Sequence, residues 1–174
     1  NHPGFDGWPL PFPSPGPNKD RIAWAELEKG FLRVRTISQS GKGETTLTQL
    51  PANSGQYSPS PKGRMVTWVT FADDFKSSHL WLQQGKDLQE LAPELSGLKT
   101  DLAWDPTGSI LLFSVQKTPQ DHFEIYTIHS DGGCLTRISK SQANERYPSL
   151  SPDSATMIFS SDLKKGWQIY RRPW

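Results

Sequence analysis

Four prolines recur along the chain at nearly constant intervals, and this regularity constrains the fold more than any other feature of the sequence. The prolines are spaced by 46, 45 and 46 residues, and they lie in the segments Ser14-Pro15-Gly16, Ser60-Pro61-Lys62-Gly63, Asp105-Pro106-Thr107-Gly108 and Ser151-Pro152-Asp153-Ser154. Each has the chemistry of a tight turn, because proline fixes one backbone angle, the preceding Ser or Asp can accept a backbone hydrogen bond, and Gly adopts a positive φ. Four turns in one register predict a repeat protein.

Three further features follow each proline in fixed order. An aromatic residue stands seven positions after the last three prolines and nine after the first, at Trp24, Trp68, Phe113 and Phe159. A pair that begins with an aliphatic residue comes next, at Val34-Arg35, Leu80-Trp81, Ile125-Tyr126 and Ile169-Tyr170. Three of the repeats then continue with an aliphatic-x-x-aliphatic segment, at residues 47–50, 88–91 and 135–138. We expect the four aromatic residues to lie in buried second strands.

A repeat of this length with four short strands matches a propeller blade, which spans about 40 to 50 residues. Two-helix repeats of similar length would need apolar residues at helical spacing, and no window of this sequence sustains that pattern. We therefore predict an all-β propeller with about four blades of roughly 46 residues, the last lacking its fourth strand. Residues 1–174 form a single propeller in this interpretation, with blades at about 8–50, 55–91, 100–139 and 146–174 and an N-terminal arm at 1–7 that is available for ring closure.

Individual strands can be predicted as well. In the third repeat they lie near Asp101–Trp104, Ser109–Val115, His122–His129 and Cys134–Ile138, and residues 130–133, Ser-Asp-Gly-Gly, read as a hairpin turn. In the first repeat, prolines occupy every second position from Pro9 to Pro17. Because successive backbone donors point to opposite edges of a strand, these prolines would remove the hydrogen-bond donors of one edge only. The innermost strand of a blade can tolerate this, since only one of its edges pairs with a neighbouring strand. The alternative is a polyproline linker ahead of the domain.

Composition and charge exclude several classes of function. Lys and Arg total 19 against 18 Asp and Glu, and the resulting net charge of +1 does not predict nucleic-acid binding. The single cysteine, Cys134, excludes an intramolecular disulfide. No apolar run reaches the roughly 20 residues of a membrane span. The chain begins at Asn1, which suggests a processed segment or a cloning boundary.

The span from Leu135 to Tyr170 resembles the TolB-type β-propeller repeat. The resemblance rests on Leu135-Thr136, the segment Tyr147-Pro148-Ser149-Leu150-Ser151-Pro152-Asp153, then Ile158-Phe159-Ser160 and Ile169-Tyr170, and weaker copies extend from about Trp8. It implies a periplasmic or secreted protein, and it implies that Asp162 orders its loop through bonds to the backbone. Family members usually close rings of six or more blades. Four repeats therefore leave three solutions: a closed four-bladed ring, half-rings that form a homodimer through the open blade edge, or a fragment of a longer protein.

No catalytic group of residues is evident. The sequence has no Gly-x-Ser-x-Gly motif, which a hydrolase of the prolyl-oligopeptidase type would need. His79 and His122 fall at nearly equivalent repeat positions, where capping of strand ends is favoured over metal binding. The pair Asp73-Asp74 is more typical of a turn than of a calcium site. We therefore expect no cofactor, no metal site and no enzymatic activity. A stand-alone propeller enzyme would have to use Asp101 and Asp105 of the inner strands.

The remaining candidates lie on one set of loops. In a propeller, the loops between second and third strands share a face with the loops that join consecutive blades. That face collects Asp73, Asp74, Phe75, Gln120, Asp121, His122, Gln142, Asn144, Glu145, Arg146, Lys164 and Lys165. Aromatic and charged loops on a rigid scaffold are typical of binding surfaces. The prediction is a non-enzymatic binding or scaffold module for a protein or peptide; the alternative is the propeller domain of a larger prolyl-oligopeptidase-type hydrolase.

Overall fold

The fold is all-β, as the repeat predicted. A computed structural model describes residues 10–12, 21–38 and 40–174, and in these residues the chain forms antiparallel sheets and no helix. The strands are β1 (Leu10–Phe12), β2 (Arg21–Glu28), β3 (Phe31–Ser38), β4 (Thr45–Pro51), β5 (Ser54–Pro59), β6 (Met65–Phe71), β7 (Ser78–Gln84), β8 (Asp87–Leu91), β9 (Leu98–Trp104), β10 (Ile110–Gln116), β11 (Glu124–His129), β12 (Thr136–Arg137), β13 (Glu145–Leu150), β14 (Thr156–Ser161) and β15 (Gln168–Pro173).

The strands form four sheets in which each strand pairs with its neighbours in sequence. Blades one, two and three are the four-stranded sheets β1–β4, β5–β8 and β9–β12, and blade four is the three-stranded sheet β13–β15. This confirms the repeated strand–turn–strand unit and the predicted lack of a fourth strand in blade four, within the described part of the chain.

The chain separates into two compact units, Asn1–Ser54 and Gly55–Trp174. The first unit holds blade one. Its strand β1, which contains Pro11, pairs with β2, with Leu10 opposite Ala23, so this part of the proline-rich segment forms a strand. The prolines at 9, 13, 15 and 17, and the arm at 1–7, lie outside the described residues. On β3, Arg35 forms ion pairs with Glu26 and Glu28 of β2 and with Glu44.

In the second unit, the turn chemistry has the predicted form in all three blades. The side-chain oxygens of Ser60, Asp105 and Ser151 accept the backbone N–H of the residue five positions later, at 3.2, 2.7 and 3.0 Å. The fourth residue of each turn, at 63, 108 and 154, has a positive φ of 63°, 76° and 56°. In blade four that residue is Ser154 rather than glycine, so this turn holds a side chain in the left-handed region.

The blades of the second unit bury apolar side chains between their faces. One cluster joins Val69, Leu80 and Leu91 of blade two to Leu111 and Phe113 of blade three. A smaller cluster joins blade three to blade four, through Leu112, Ile125 and Met157. Each fully buried side chain of this kind contributes about 1.5 to 3 kcal/mol relative to an exposed one. Of the four aromatic residues predicted to be buried, Trp68 and Phe113 are, and Trp24 and Phe159 are half-buried.

The innermost strand of each blade in this unit contains a residue in the left-handed region. Gln56, Asp101 and Tyr147, which are 45 and 46 residues apart, have φ angles of 47°, 57° and 55°. The pairing register shifts near the second and third of them, between Leu112 and Ser114 in blade three and between Arg146 and Ser149 in blade four. A bulge bends the strand and redirects its side chains. At two of these positions, Gln56 and Asp101, the side chain bonds to the next blade.

Candidate functional site

The predicted site residues of the second unit lie in five loops or directly after them, and these loops are called the loop face here. It comprises the three loops between second and third strands, 72–77, 117–123 and 162–167, and the two interblade loops, 92–97 and 138–144. Hydrogen bonds join the two kinds of loop: Ser78 N–H donates to Gly97 O at 3.1 Å, and Glu145 N–H donates to Phe123 O at 2.8 Å. The topology therefore places the loops at one end of the sheets, as predicted.

Arg146 occupies the most organised position next to this face. Its Nε and Nη2 donate to the two carboxylate oxygens of Asp101 at 2.9 and 3.0 Å, a bidentate pair between blades four and three. The guanidinium also lies over the rings of Phe123, at 4.2 Å, and Tyr147, at 4.8 Å. Burial lowers the pKa of Arg146, but the hydrogen bond and charge of Asp101 outweigh it and leave the pKa raised. Arg146 thus holds two blades together.

Asn144 and Asp162 form a second link between loops. The Asn144 N–H and Nδ2 donate to the two carboxylate oxygens of Asp162 at 2.8 and 2.7 Å, and Asn144 Oδ1 accepts the N–H of Phe123 at 2.9 Å. The bonds from Asn144 lower the pKa of Asp162. The resemblance implied that Asp162 orders its loop through the backbone, and its acceptor bond from the Asn144 N–H agrees with that role.

Glu145 and His122 are also held within the structure. Glu145 is buried, and its Oε1 accepts the Ser141 hydroxyl at 2.5 Å. His122 is a quarter exposed, and its Nε2 lies 3.6 Å from Glu124. Glu124 also receives the guanidinium of Arg137 at 2.8 Å and the amine of Lys117 at 3.5 Å. His122 therefore belongs to a charged cluster beside β11, and Glu145 has little area to offer a partner.

Asp121, Asp73 and Asp74 lie in exposed turns. The Asp121 carboxylate accepts the N–H and hydroxyl of Thr118 at 3.0 and 2.8 Å, which closes its own loop, and Gln120 beside it is exposed. Asp74 accepts the N–H of Lys76 at 3.0 Å, as the turn interpretation of Asp73-Asp74 expects. These carboxylates shape loops and leave part of their surface open to solvent.

Phe75 is the prominent residue of the blade-two loop. Its side chain is 66 % exposed, its φ is 56°, and its ring lies 5.7 Å from that of Phe71. A bulky residue in the left-handed region is strained, and such residues are found preferentially at functional sites.

The blade-four loop adds residues that sequence reasoning missed. Leu163 and Trp167 are 56 % and 54 % exposed, and they flank Lys164 and Lys165, which are also exposed and form no ion pair within the described residues. Tyr147, beside Arg146, is 58 % exposed. Trp167 stands directly before β15, which begins at Gln168. The signal for Leu163 was an aliphatic residue between charged positions of a predicted loop.

The described residues offer no metal centre. Within them, no group of three or more His, Cys, Asp or Glu side chains is arranged to hold a metal ion. His79 is exposed and its Nδ1 lies 2.6 Å from Glu90. In the same part of the chain, no helix is long and apolar enough to cross a membrane.

Comparison with known proteins identifies the repeat. The model of the TolB β-propeller domain matches residues 33–174, well over half of the chain. The chain belongs to the TolB β-propeller family. The bonded turns, the stacked sheets and the loop face are therefore those of a TolB-type propeller.

Solved structures agree on the fold. A protein assigned as TolB from Agrobacterium tumefaciens superposes with a TM-score of 0.71 at 18 % identity, over 90 % of this chain and 58 % of that one. TolB from Acinetobacter baumannii superposes with a TM-score of 0.67 at 17 % identity, over 92 % of this chain and 41 % of that one. Oligogalacturonate lyase from Vibrio parahaemolyticus superposes with a TM-score of 0.61 at 11 % identity, over 95 % of this chain and 48 % of that one. The chain thus spans about half the length of these relatives, and the likeness at this identity shows the fold alone.

Proposed function

We propose that this chain is a non-enzymatic binding module that engages a protein or peptide through the loop face. The observation that carries the proposal is the set of exposed apolar side chains there: Phe75 in blade two, and Leu163 and Trp167 in blade four. Large exposed apolar side chains bordered by polar residues are typical of protein-binding surfaces, and aromatic residues supply much of the binding energy at such interfaces.

The polar residues of the face divide into two groups under this proposal. Arg146, Asn144, Glu145 and Asp121 hold the loops in place, since each is bonded within the protein. Asp73, Gln120, Lys164 and Lys165 are exposed and would form the polar rim of the contact. His122 lies between the groups, a quarter exposed beside Glu124. The rigid first group keeps the second group and the apolar side chains in a fixed arrangement.

The experiment uses site-specific photo-cross-linking. A photoreactive phenylalanine analogue is placed at position 75, and in a matched control at position 88, because Leu88 is 60 % exposed but lies on β8, away from the loop face. A protein that cross-links from position 75 and not from position 88 is then purified. We expect Phe75→Ala and Trp167→Ala to weaken its binding at least about tenfold, as for an aromatic hot spot. Equal labelling from both positions, or unchanged affinity in both variants, would refute the proposal.

A second candidate is the propeller domain of a larger prolyl-oligopeptidase-type hydrolase. In its favour, the chain spans only part of the length of its relatives. A Gly-x-Ser-x-Gly motif in the same gene product would support it. Together with the leading proposal we propose export to the periplasm or the medium, which the TolB-type family supports. Immunodetection in fractionated cells tests it.

A further inference from the structure

The charged cluster beside β11 contains more positive than negative charge. It consists of Lys117, His122, Glu124 and Arg137. The Glu124 carboxylate lies 2.8 Å from Arg137 Nη2 and 3.5 Å from Lys117 Nζ. In the described part of the chain, neither of these two cations forms an ion pair with another acidic residue. Two cations therefore share one carboxylate, and at least one positive charge of the cluster is left without compensation.

Burial separates the two kinds of charge in this cluster. The Glu124 side chain is only 10 % exposed, and its Oε2 accepts the hydroxyl of the buried Tyr126 at 3.0 Å. The side chains of Lys117 and Arg137 are 45 % and 40 % exposed. The carboxylate thus lies beneath the cations, and the surface that a partner would meet here is positive.

The equivalent ion pair of blade two is balanced. Glu90 of blade two and Arg137 of blade three occupy equivalent places, each opposite an aromatic residue of the third strand. Glu90 lies 2.6 Å from His79, so one acid meets one base. In blade three the acid is on the third strand and the base on the fourth, and the loop adds a second base, Lys117. The surplus charge is therefore a property of the sequence of blade three and not of the fold.

The backbone at Lys117 is held by the neighbouring blade. A Cβ added to Gly97, in the interblade loop 92–97, would lie 2.6 Å from Lys117 Cα, so the two segments are in close contact. The Lys117 amine lies 5.9 Å from the ring centroid of Tyr126, which belongs to the apolar cluster between blades two and three. Residues that are already held in place lose less conformational entropy when they bind a partner.

We propose that Lys117 and Arg137 bind the carboxylate of an aspartate or glutamate side chain in the protein or peptide that engages the loop face. This inference rests on the proposed function, because Lys117 lies in the loop 117–123 of that face. One uncompensated positive charge matches a carboxylate, which carries one negative charge, whereas a phosphate group carries about −1.5 to −2 at pH 7. Arg137 directs Nη2 at Glu124, and its other N–H groups can donate to the incoming carboxylate.

Two exposed acids on adjoining loop segments restrict the partner further. Asp121 lies in the same loop as Lys117, and Glu94 lies in the interblade loop that contacts residue 117. Among the residues that the structure describes, neither acid forms an ion pair with Lys117 or Arg137. Because like charges repel, these acids disfavour a run of acidic residues in the partner. We expect a single acid with neutral neighbours.

The test selects random peptides on the complete chain by phage display. The wild type is compared with the double variant Lys117→Ala/Arg137→Ala and with the matched control Lys62→Ala/Lys86→Ala. Lys62 and Lys86 are exposed in the β5–β6 and β7–β8 turns, at the other end of the sheets, so the control removes the same charge away from the site. The probes are then the strongest peptide selected on the wild type, a copy with its Asp or Glu replaced by Asn or Gln, and a copy with phosphoserine at that position. Fluorescence anisotropy measures their affinities at low and at high ionic strength.

We expect Asp or Glu to be enriched in peptides selected on the wild type and on the control, and not in those selected on the double variant. Replacement of the acid by its amide should weaken binding to the wild type about three- to tenfold at low ionic strength, the effect of two partly exposed ion pairs, and less at high ionic strength. The same replacement should leave binding to the double variant unchanged.

Removal of both cations leaves the largely buried Glu124 without a cation, which can destabilise the fold. The triple variant Lys117→Ala/Glu124→Gln/Arg137→Ala removes that buried charge as well and keeps an acceptor for the Tyr126 hydroxyl. It should lack the preference for an acid in the same way. A preference that reappears in the triple variant would overturn the inference, because the double variant would then have lost it through misfolding.

Four further results would overturn the inference: no peptide is selected on the wild type, the selected peptides show no preference for an acid, the preference persists in the double variant, or the phosphoserine copy binds more tightly than the acidic peptide. Phe75→Ala distinguishes this inference from the proposed function. Acid-dependent binding that Phe75→Ala leaves unchanged would contradict the loop-face proposal alone. Binding that requires Phe75 but no acid would contradict the carboxylate site alone.

Discussion

Replacement of Arg146 by alanine tests whether this residue serves the fold or a partner. Its bidentate bond joins a guanidinium that is 22 % exposed to a carboxylate, Asp101, that is 2 % exposed. Removal of the arginine leaves a buried charge without compensation, which typically costs about 3 to 5 kcal/mol. Loss of the contacts with the rings of Phe123 and Tyr147 adds roughly 0.5 to 2 kcal/mol. The sum is a large share of the 5 to 15 kcal/mol that stabilises a typical domain.

Urea unfolding followed by tryptophan fluorescence measures this loss. For a slope of about 2 kcal/mol/M, a loss of about 3.5 to 7 kcal/mol moves the midpoint down by about 1.8 to 3.5 M. Arg146→Lys is expected to fall between the wild type and Arg146→Ala, because lysine keeps the charge but not the bidentate geometry. The combination Arg146→Met with Asp101→Asn should cost less than Arg146→Ala, since no buried charge is left unpaired, and asparagine tolerates the positive φ at position 101.

Arg171→Ala is the matched control, because that arginine is exposed and has no ion pair in the described residues; its effect should stay within about 0.5 kcal/mol. If Arg146→Ala changed the free energy of unfolding as little as Arg171→Ala does, the reasoning would be refuted. Arg146 would then be free to serve as a binding residue of the loop face.

Three further predictions concern single residues of the second unit. Burial alone would raise the pKa of Asp105, but the hydrogen bonds that its carboxylate accepts from Thr107, Ile110 and Ser109 outweigh burial and hold the pKa below the ordinary value. The contribution of the carboxylate to the free energy of unfolding is therefore complete above about pH 4, and it is lost as pH falls through the folded pKa. Asp105→Asn should therefore cost about 2 to 3 kcal/mol in urea unfolding at pH 7 and clearly less near pH 3; a loss independent of pH would contradict this account. Ser154→Gly should raise the free energy of unfolding by up to about 1 kcal/mol, since it relieves a φ of 56°, and a loss of stability would show that the serine side chain matters more than the strain. Gly97→Ala should destabilise the protein by at least about 2 kcal/mol, because Gly97 has a φ of 102° and the added Cβ would collide with the backbone of residues 116 and 117. Gly85→Ala is the control and should cost only about 1 kcal/mol, because Gly85 has a φ of 60° and open space around it.

The repeat and its turns could be predicted because their causes are local. A Ser or Asp before proline can bond to the backbone a few residues later wherever the chain turns in this way, and Ser60, Asp105 and Ser151 all do so. Alternation of apolar residues then indicates the buried faces, and Trp68 and Phe113 follow that pattern. Strand ends were less predictable: β9 begins at Leu98 rather than Asp101, and β12 covers only Thr136–Arg137.

Burial failed as a prediction where it depends on a neighbouring element. Ile125 and Ile169 have the same residue type and the same place in the repeat, but one is fully buried and the other is 79 % exposed. The sequence of a blade shows which side chains can be covered, and the neighbour decides whether they are. Trp167 shows the same dependence on its surroundings, because it is a large apolar residue but is exposed on the loop face.

The division of the candidate site into supporting and contacting residues needed the structure as well. Glu145 and Arg146 follow Asn144 directly in the sequence, and all three looked like loop residues. In the structure, Glu145 is buried, and Arg146 crosses to Asp101 because the bulge beside it redirects the strand. The sequence does not predict a positive φ at Asp101 or Tyr147, because the residues that usually indicate this conformation are glycine and asparagine.

The bonds between blades nonetheless repeat with the period of the prolines. Gln56 Oε1 accepts the Asp101 N–H, Asp101 accepts Arg146, and the Trp104 indole N–H donates to Ser58 O, and each of these pairs is separated by 45 or 46 residues. A separation of one repeat means that blades two and three use the same inner-strand positions to hold the next blade, while the loops differ in sequence from blade to blade. The inner strands can therefore remain rigid and alike as the exposed residues at the loop tips change, and selectivity for a partner is expected to depend on Phe75 and Trp167 rather than on Arg146.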